Sequence, residues 1–299
     1  MGLLRVGLRF KKTRRLFRMK NILITGKNSY IGTSLENWLM KESDKYKIDS
    51  IDMKDGSWKD ADFSQYDVVF HVAGIAHIKE TKENKDFYYK VNRDLAYETA
   101  RKAKGEAVRQ FIFLSSMSVY GIENGVIDKN TPLNPNTAYG KSKLEAEELI
   151  KKLEDESFII AIIRPPMVYG KGCRGNYPRL AGLALKTPIF PKVDNKRSMI
   201  YIDNLAEFVK QLIDNQSGGL FFPQNAEYVN TSEMVKVIAE AHGKKVVMTK
   251  LFNPLINLMK RNNTVNKLFG DLVYEEGLIN NNQHNGFINF EESINLTEN

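Results

Sequence analysis

The chain has 299 residues, of which 42% are hydrophobic and 27% charged, and this composition is typical of a soluble globular protein with one large or two modest domains. It contains no apolar run of about eighteen residues, which excludes a predicted membrane span. A single cysteine, Cys173, excludes an internal disulfide and fits a reducing compartment, so we expect a cytoplasmic protein.

The net charge of +8 comes from the N-terminus. Eight of the 44 lysines and arginines lie within the first twenty positions, and the remaining 36 equal the 36 acidic residues in number. The body therefore predicts no nucleic-acid groove. Residues 1–18 lack the apolar core and cleavage site of a secretory signal. An amphipathic helix on an acidic membrane is one interpretation; we favour a disordered extension or an upstream start, with the fold beginning at Met19.

From Met19 onward, short apolar runs alternate with longer amphipathic segments. The runs predict strands over residues 21–25, 47–51, 67–72, 111–115 and 158–164. The amphipathic segments predict helices over 31–41, 84–104 and 138–153. This alternation predicts an α/β fold of Rossmann type, a doubly wound parallel sheet covered on both faces.

After Pro165 and Pro166 the rhythm changes to short elements rich in proline and glycine, with helices predicted near 203–214 and 231–242. We expect an NAD-binding domain over 19–165 and a smaller C-terminal substrate-binding lobe over 166–299, discontinuous and partly interleaved with the first. The polar end of the chain is expected to be only partly ordered. Four scattered histidines and one cysteine predict no metal site.

The stretch NILITGKNSYIG, residues 21–32, predicts a nucleotide-binding turn between a strand and a helix. Gly26 would allow the tight turn and Gly32 the close packing of helix on strand. The middle glycine of the motif is replaced by Ser29, which can serve if its backbone need not be glycine-like. A pyrophosphate would then lie at the helix N-terminus, against Asn28, Ser29, Tyr30 and Ile31.

An acidic residue at the end of the second strand supports this interpretation. Asp52 follows Ile51 directly, about twenty residues after the turn, where a carboxylate binds the adenosine ribose. That carboxylate would repel a 2′-phosphate, which favours NAD. Lys54 keeps NADP as the alternative.

The segment AYGKSK places Tyr139 and Lys143 four residues apart, hence on one face of a predicted helix. An ammonium beside a phenol favours the phenolate and makes the tyrosine useful as an acid or base. The spacing alone would also arise by chance. However, FIFLSSMSVYG places Ser115 and Ser116 at the carboxyl end of a parallel strand, where open α/β sheets bind ligands. Ser116 lies in no G-x-S-x-G elbow, which argues against a hydrolase.

Together with VVFHVAG, IIRPPMVYG and KRSMIYIDNLA, these motifs resemble the extended short-chain dehydrogenases/reductases. The resemblance is to the NAD-dependent nucleotide-sugar epimerase/dehydratase branch, similar to UDP-glucose 4-epimerase. It runs from about Lys20 to Asp214 and more weakly to about Glu276, and it is strongest for bacterial polysaccharide-pathway members that share RPPMVYGKG followed by GNY.

The resemblance implies a catalytic triad of Ser116, Tyr139 and Lys143. Tyr139 would act as base on the sugar 4-hydroxyl, Ser116 would hold the same oxygen, and Lys143 would bind the nicotinamide ribose and tune Tyr139. The backbone of Ala73 and Gly74 and the side chain of Asn92 would line the NAD channel.

For the nucleotide-sugar substrate, the resemblance implies that Arg197 binds the diphosphate, a role that suits guanidinium geometry. Asn176 is a weaker candidate for the same site, and Asp271 would bind a ribose. Met167 stands where many epimerases carry a substrate-contacting asparagine. Leu268 stands where an arginine is usual, and whether Lys267 compensates is open.

The favoured function is an NAD-dependent 4-epimerase acting on a UDP-hexose or UDP-N-acetylhexosamine in surface polysaccharide biosynthesis. The alternative is an NAD(P)H-dependent reductase of a nucleotide 4-keto-sugar, which uses the same triad; a non-catalytic sensor is disfavoured because the triad is intact. A 4,6-dehydratase is disfavoured because Met117 and Ser118 follow Ser116 in place of an acid/base pair. The family implies a homodimer through helices 84–104 and 138–153.

Two further residues could be functional or structural. His71 lies within a predicted strand, and we favour a structural role for it over a catalytic one. Trp58 could flank the adenine or have an exposed packing role.

Overall fold

The computed structural model describes residues 18–76, 78, 80–259, 262–278 and 284–299. The strands are β1 (Lys20–Thr25), β2 (Tyr46–Ile51), β3 (Val68–His71), β4 (Gln110–Leu114), β5 (Gly125–Ile127), β6 (Ile159–Ile163), β7 (Met167–Tyr169), β8 (Ile189–Pro191), β9 (Met199–Tyr201), β10 (Gly219–Phe221), β11 (Val247–Thr249) and β12 (Leu272–Tyr274). The α-helices are α1 (Tyr30–Leu39), α2 (Lys85–Tyr88), α3 (Leu95–Gly105), α4 (Ala138–Lys151), α5 (Asn176–Lys186), α6 (Ile202–Asn215), α7 (Thr231–Ala241), α8 (Asn253–Leu258), α9 (Asn263–Phe269) and α10 (Phe290–Glu298). A π-helical segment, Tyr89–Asp94, joins α2 to α3.

Six strands form one parallel sheet in the order β10-β6-β4-β3-β1-β2. The strand order reverses between β1 and β3, and in open α/β sheets ligands bind at the carboxyl ends of the strands beside such a reversal. The sheet confirms the predicted Rossmann-type, doubly wound α/β fold. The turn after β1 therefore lies at the position where a ligand site is expected.

The two faces of the sheet bury alternate residues of each strand. In β1, Ile22 and Ile24 pack with Leu35 of α1 and Phe208 of α6, whereas Leu23 packs on the opposite face with the alanines of α3 and α4. This period of two is the pattern of a strand that is covered on both sides. Each such aliphatic side chain contributes about 1.5–3 kcal/mol when fully buried, so both helix layers fix the sheet.

The connection from β2 to β3 is short. Residues 52–67, all of which the structure describes, contain a 3₁₀ turn at Ser57–Lys59 and no α-helix. Trp58 in this turn is buried with Phe63 in the core beneath β3. The expectation that Trp58 is exposed or flanks an adenine is therefore wrong, because the short crossover needs a large apolar side chain to cover its face of the sheet.

In the smaller lobe, strand pairs β7–β9 and β8–β11 and helices α5, α7 and α10 surround one core, and strand pair β5–β12 packs in a second core with Met117. Helix α6 and strand β10 return to the large sheet, so the lobe is interleaved with it. The domain boundary at residues 165/166 stays a prediction.

The end of the chain is more regular than its polar composition indicated. Helix α10 buries Ile294, and the Ser293 hydroxyl lies 2.6 Å from that of Tyr169. The prediction for the N-terminal extension falls almost wholly outside the described residues, since 1–17 are not among them. Among the helices of the described chain, none has the length and apolar character needed to cross a membrane.

Candidate active site

The turn after β1 brings two backbone segments into contact. Gly26 adopts φ +99°, and a Cβ at this position would lie 3.0 Å from the backbone of Ala73. The N–H groups of Gly26 and Lys27 donate to the carbonyl of Ile51 at 2.9 and 3.0 Å. The ends of β1, β2 and β3 are therefore held together, and only glycine fits at position 26.

Ser29 replaces glycine without strain. Its φ of −73° is ordinary for any residue, and its hydroxyl caps α1 by accepting from the Gly32 N–H at 3.2 Å. The left-handed residue of the turn is Asn28, with φ 63°, a conformation that asparagine tolerates. A Cβ on Gly32 would lie 3.1 Å from Ile24 and 3.2 Å from Val72, so this glycine lets α1 approach the sheet.

The first turn of α1 combines free backbone donors with buried side chains. The N–H groups of Tyr30 and Ile31 precede the helical hydrogen-bond pattern and have no partner within the helix. The side chain of Ile31 packs into the core, and the hydroxyl of Tyr30 points to the smaller lobe, where a Cβ on Gly170 would lie 2.8 Å from it. Burial raises the pKa of Tyr30 well above its usual range. A phosphate at this turn would therefore meet backbone N–H groups.

Asp52 lies at the carboxyl end of β2, one residue after the carbonyl that holds the turn. One carboxylate oxygen accepts from the Lys54 N–H at 3.0 Å, which orients the side chain and leaves the second oxygen for a ligand. This is the position that a ribose-binding carboxylate requires.

Asn92 fixes the segment that follows β3. Its amide oxygen accepts from the Ile75 N–H at 2.8 Å and its amide nitrogen donates to the Ile75 carbonyl at 3.1 Å and to Ser142 at 3.2 Å. Asn92 is completely buried within the π-helical segment. A Cβ on Gly74 would lie 2.9 Å from Asn92 Oδ1 and 3.3 Å from Lys143 Nζ, so Ala73 and Gly74 form a narrow wall beside the lysine.

Ser116, Tyr139 and Lys143 converge at the carboxyl end of β4. Lys143 Nζ donates to the Leu114 carbonyl at 2.8 Å, and Ser116, two residues further, interacts with the Tyr139 hydroxyl. The Ser116 oxygen also caps the 3₁₀ turn Met117–Tyr120 by accepting from the Ser118 N–H at 3.1 Å. The Tyr139 ring packs edge-on against Tyr88, with centroids 6.5 Å apart.

Burial sets the acidity of this group of residues. It raises the pKa of Tyr139, an effect that Ser116 opposes and Tyr88 reinforces. It lowers the pKa of Lys143 to about 8, against the attraction of Glu147. The predicted tuning of Tyr139 by Lys143 is not among these causes, because the ammonium lies against the Leu114 carbonyl.

We expect kcat/KM to fall on the alkaline side with a pKa of about 8, because Lys143 loses its proton there. In Lys143→Arg the guanidinium stays charged, so this limb should move upward by one unit or more even if the maximum rate drops. Steady-state rates between about pH 6 and 10 give both profiles. An unchanged limb in Lys143→Arg would show that another group titrates.

A buried ion pair that the sequence did not predict lies beside Ser115 and Lys143. Glu147 and Arg164 are about 5% exposed and form a bidentate contact, with Nη2 to Oε2 at 2.6 Å and Nε to Oε1 at 3.0 Å. Ser115 donates to Glu147, and Arg164 donates to the Tyr120 hydroxyl at 2.9 Å. The spacing 139, 143, 147 along α4 could have revealed Glu147, since it continues the catalytic face by one turn.

The burial of His71 is consistent with the structural role that the sequence favoured, which stays a prediction. It is completely buried between Phe111 and Phe113, and its Nδ1 lies 2.8 Å from the Thr25 hydroxyl. Burial, with a smaller effect of Lys143, lowers the pKa of His71 to about 3. The ring is therefore neutral at physiological pH.

Two of the predicted substrate residues, Arg197 and Asp271, lie close together in the smaller lobe. Arg197 Nη1 donates to the Gly270 carbonyl at 3.0 Å, and burial lowers its pKa while Asp271 and Glu123 raise it. Asp271 accepts from the Lys196 N–H at 2.7 Å. Met167 pairs with Met199, two residues beyond Arg197. Asn176 begins α5, and no hydrogen bond of the described residues links it to Arg197 or Asp271.

Leu268, which stands where the family has an arginine, and Lys267 beside it both make contacts within the protein. The Leu268 carbonyl accepts from the Thr231 hydroxyl at 2.7 Å, and Leu268 packs against the core of the lobe. Lys267 pairs with Glu123 at 3.1 Å, and Glu123 is also one of the carboxylates that act on Arg197. Strand pair β5–β12 connects Arg197 and Lys267 with the 3₁₀ turn after Ser116. Ile127 of β5 and Tyr274 of β12 pack with Met117 of that turn in one core.

The fold and this geometry define a nicotinamide-dependent enzyme of the short-chain dehydrogenase/reductase type. A dinucleotide fits the residues present: the close approach of Gly26 and Ala73 leaves no side chain over the turn, and the α1 N–H groups and Asp52 suit a pyrophosphate and a ribose. Residues 22–221 match the NAD dependent epimerase/dehydratase family. The chain belongs to this family, whose cofactor is NAD.

The chain is 32% identical over 253 residues to a UDP-glucose 4-epimerase of Vibrio cholerae, a match that covers 75% of this chain and 76% of the relative. It is 28% identical over 254 residues to the N-acetyl-alpha-D-glucosaminyl-diphospho-ditrans,octacis-undecaprenol 4-epimerase of Escherichia coli O157:H7, covering 79% of this chain and 76% of the relative. The fold is similar to that of a UDP-glucuronic acid 4-epimerase from Bacillus cereus in complex with NAD, with a TM-score of 0.72, 19% identity, and 93% and 97% of the two chains covered.

Proposed function

We propose that this protein is an NAD-dependent 4-epimerase of a UDP-hexose or UDP-N-acetylhexosamine in surface polysaccharide biosynthesis. The observation that carries the proposal is the convergence of Ser116, Tyr139 and Lys143 at one strand end, in a chain that also holds a half-buried arginine, Arg197, beside Asp271. The Vibrio cholerae and Escherichia coli relatives are both described as 4-epimerases, which favours reaction at C4.

In this reaction Tyr139 removes the proton of the sugar 4-hydroxyl and returns it at the end. Ser116 donates to the same sugar oxygen and stabilises the charge that develops there. NAD, held by the N-terminus of α1 and by Asp52, would supply the hydride acceptor for C4. Lys143 would bind the nicotinamide ribose, and Arg197 would bind the diphosphate while the 4-keto sugar turns over.

The burial of Lys143 strengthens the electrostatic effect of its charge. The Lys143 ammonium is 4% exposed and lies 4.7 Å from the centre of the Phe113 ring, so its charge acts in a medium of low polarity. The narrow wall of Ala73 and Gly74 allows a flat ring to approach this charge closely.

The test offers the purified protein a panel of UDP-sugars without added reductant and follows C4 epimers by chromatography or NMR. Interconversion without net NADH formation supports the epimerase. Turnover only of a nucleotide 4-keto-sugar with added NAD(P)H would replace it with the reductase. Failure with both substrate classes, in protein that retains bound NAD, would contradict a catalytic role.

The homodimer is part of the same proposal. The proposed interface consists of α2, the π-helical segment, α3 and α4. Within one chain, an ion pair of Arg93 and Glu145 at 2.7 Å joins the π-helical segment to α4. Light scattering of the purified protein gives the mass that decides it.

A further inference from the structure

The smaller lobe carries a segment, residues 251–259, in which several large apolar side chains are exposed. Leu251, Leu255 and Leu258 are 84%, 57% and 79% exposed, and Phe252 and Met259 are also exposed. One residue of the same stretch, Ile256, is buried, so one side of α8 faces the protein. Large apolar side chains that cluster in this way on a surface mark a contact with another apolar body.

The neighbouring strand pair extends this surface. Val247 and Ile189 are register partners in β11 and β8, and both are exposed, while Met248 and Phe190 at the next position point into the lobe. Lys192 joins the two parts of the surface, since its N–H donates to the Thr249 carbonyl at 2.7 Å and its carbonyl accepts from Asn253 at 2.9 Å. We name the residues 189, 247, 251, 252, 255, 258 and 259 the apolar face.

The stretch of chain that carries most of the apolar face has basic residues and no acidic ones. The sequence contains no acidic residue between Glu240 and Asp271, whereas Lys244, Lys245 and Lys250 are exposed within the described part of this stretch, and Lys192 is exposed beside it. The numerical balance of charges after residue 20 therefore conceals a local excess of bases. Lysines that flank exposed leucines are typical of segments that lie in the interface of an anionic membrane.

We propose that the apolar face binds the surface of an anionic lipid bilayer, with the leucines of the 251–258 stretch in the headgroup region and the lysines on phosphate groups. A second copy of the chain fits less well, because a symmetric interface on this face would bring the same lysines together. The proposal rests on the exposed side chains and the charge, and it is independent of the proposed function.

The experiment is co-sedimentation of the full chain with vesicles of phosphatidylglycerol and phosphatidylcholine, compared with phosphatidylcholine alone. We expect pelleting with the anionic vesicles that weakens as salt rises. The triple variant Leu251→Ser, Leu255→Ser, Leu258→Ser should lower the partition coefficient by about tenfold or more, since three apolar side chains are removed. The pair Lys245→Glu, Lys250→Glu should lower binding to anionic vesicles selectively.

The matched control is Leu133→Ser, Leu296→Ser, because both leucines are exposed outside the apolar face and should leave binding unchanged. Undiminished pelleting of the triple leucine variant would assign binding to another part of the chain, such as residues 1–17, and overturn the proposal. So would absence of binding to anionic vesicles, or a homodimer that the triple variant dissociates without any vesicle binding.

Discussion

Tyr139→Phe is expected to lower kcat by about a hundred- to ten-thousand-fold while NAD stays bound, because the variant loses the group that exchanges a proton with the sugar 4-hydroxyl. The ring of Tyr139 keeps its edge-on contact with Tyr88, so the fold and the wall of the pocket should be unchanged. The measurement is single-turnover and steady-state epimerisation, with the bound nucleotide quantified after denaturation.

The matched control for Tyr139→Phe is Tyr46→Phe. Tyr46 begins β2 at the amino end of the sheet, where its hydroxyl donates to Asp214 at 2.6 Å. The kcat of Tyr46→Phe should stay within about twofold of the native value, because the change removes no group from the carboxyl ends of the strands. Full activity in Tyr139→Phe would contradict the assignment of the proton-transfer group, whatever the substrate proves to be.

Arg164→Met is expected to lower the free energy of unfolding by about 3–5 kcal/mol, because removal of one partner leaves the buried Glu147 carboxylate uncompensated. The Tyr120 hydroxyl would also lose its donor at 2.9 Å. Because Ser115 and Lys143 depend on the same carboxylate, activity should fall together with stability. Urea unfolding followed by tryptophan fluorescence gives the free energy.

The double variant Glu147→Leu, Arg164→Met separates charge from packing. It should recover most of the stability lost by Arg164→Met, since apolar residues of similar volume often replace a buried ion pair without cost. Lys236→Met is the matched control for an exposed ion pair: Lys236 and Glu233 are half exposed and 3.4 Å apart, so the change should be about 0–1 kcal/mol. Equal changes in the free energy of unfolding for Arg164→Met and Lys236→Met would show that losing a partner of the buried pair costs no more than losing a partner of an exposed pair.

The strands and helices of the large sheet could be predicted because each follows a local rule. Residues 22–24 and 158–163 are apolar throughout, and the structure has strands at Lys20–Thr25 and Ile159–Ile163. The helix predicted over 138–153 runs from Ala138 to Lys151, after a Thr137 hydroxyl that accepts from the Gly140 N–H. The smaller lobe gave weaker signals, because its three-residue strands are too short to show a period.

The nucleotide turn was predicted with one uncertainty, the loss of a glycine at Ser29. Its φ of −73° removes that uncertainty, since the left-handed residue is Asn28 instead. The sequence could not have decided this, because a motif specifies which residues are tolerated and the backbone angles follow from how the ends of β1, β2 and β3 pack.

The sequence by itself determined the sheet, the turn that suits a nucleotide and the pair of Tyr139 and Lys143, because spacing along a strand or helix fixes which side chains share a face. The tertiary structure decided the Glu147–Arg164 pair, the meeting of Arg197 with Asp271, and the exposure of the apolar face. Residues 147 and 164, or 197 and 271, come together only when separate elements pack. Burial, which moves the pKa of Lys143 to about 8, is likewise a property of that packing.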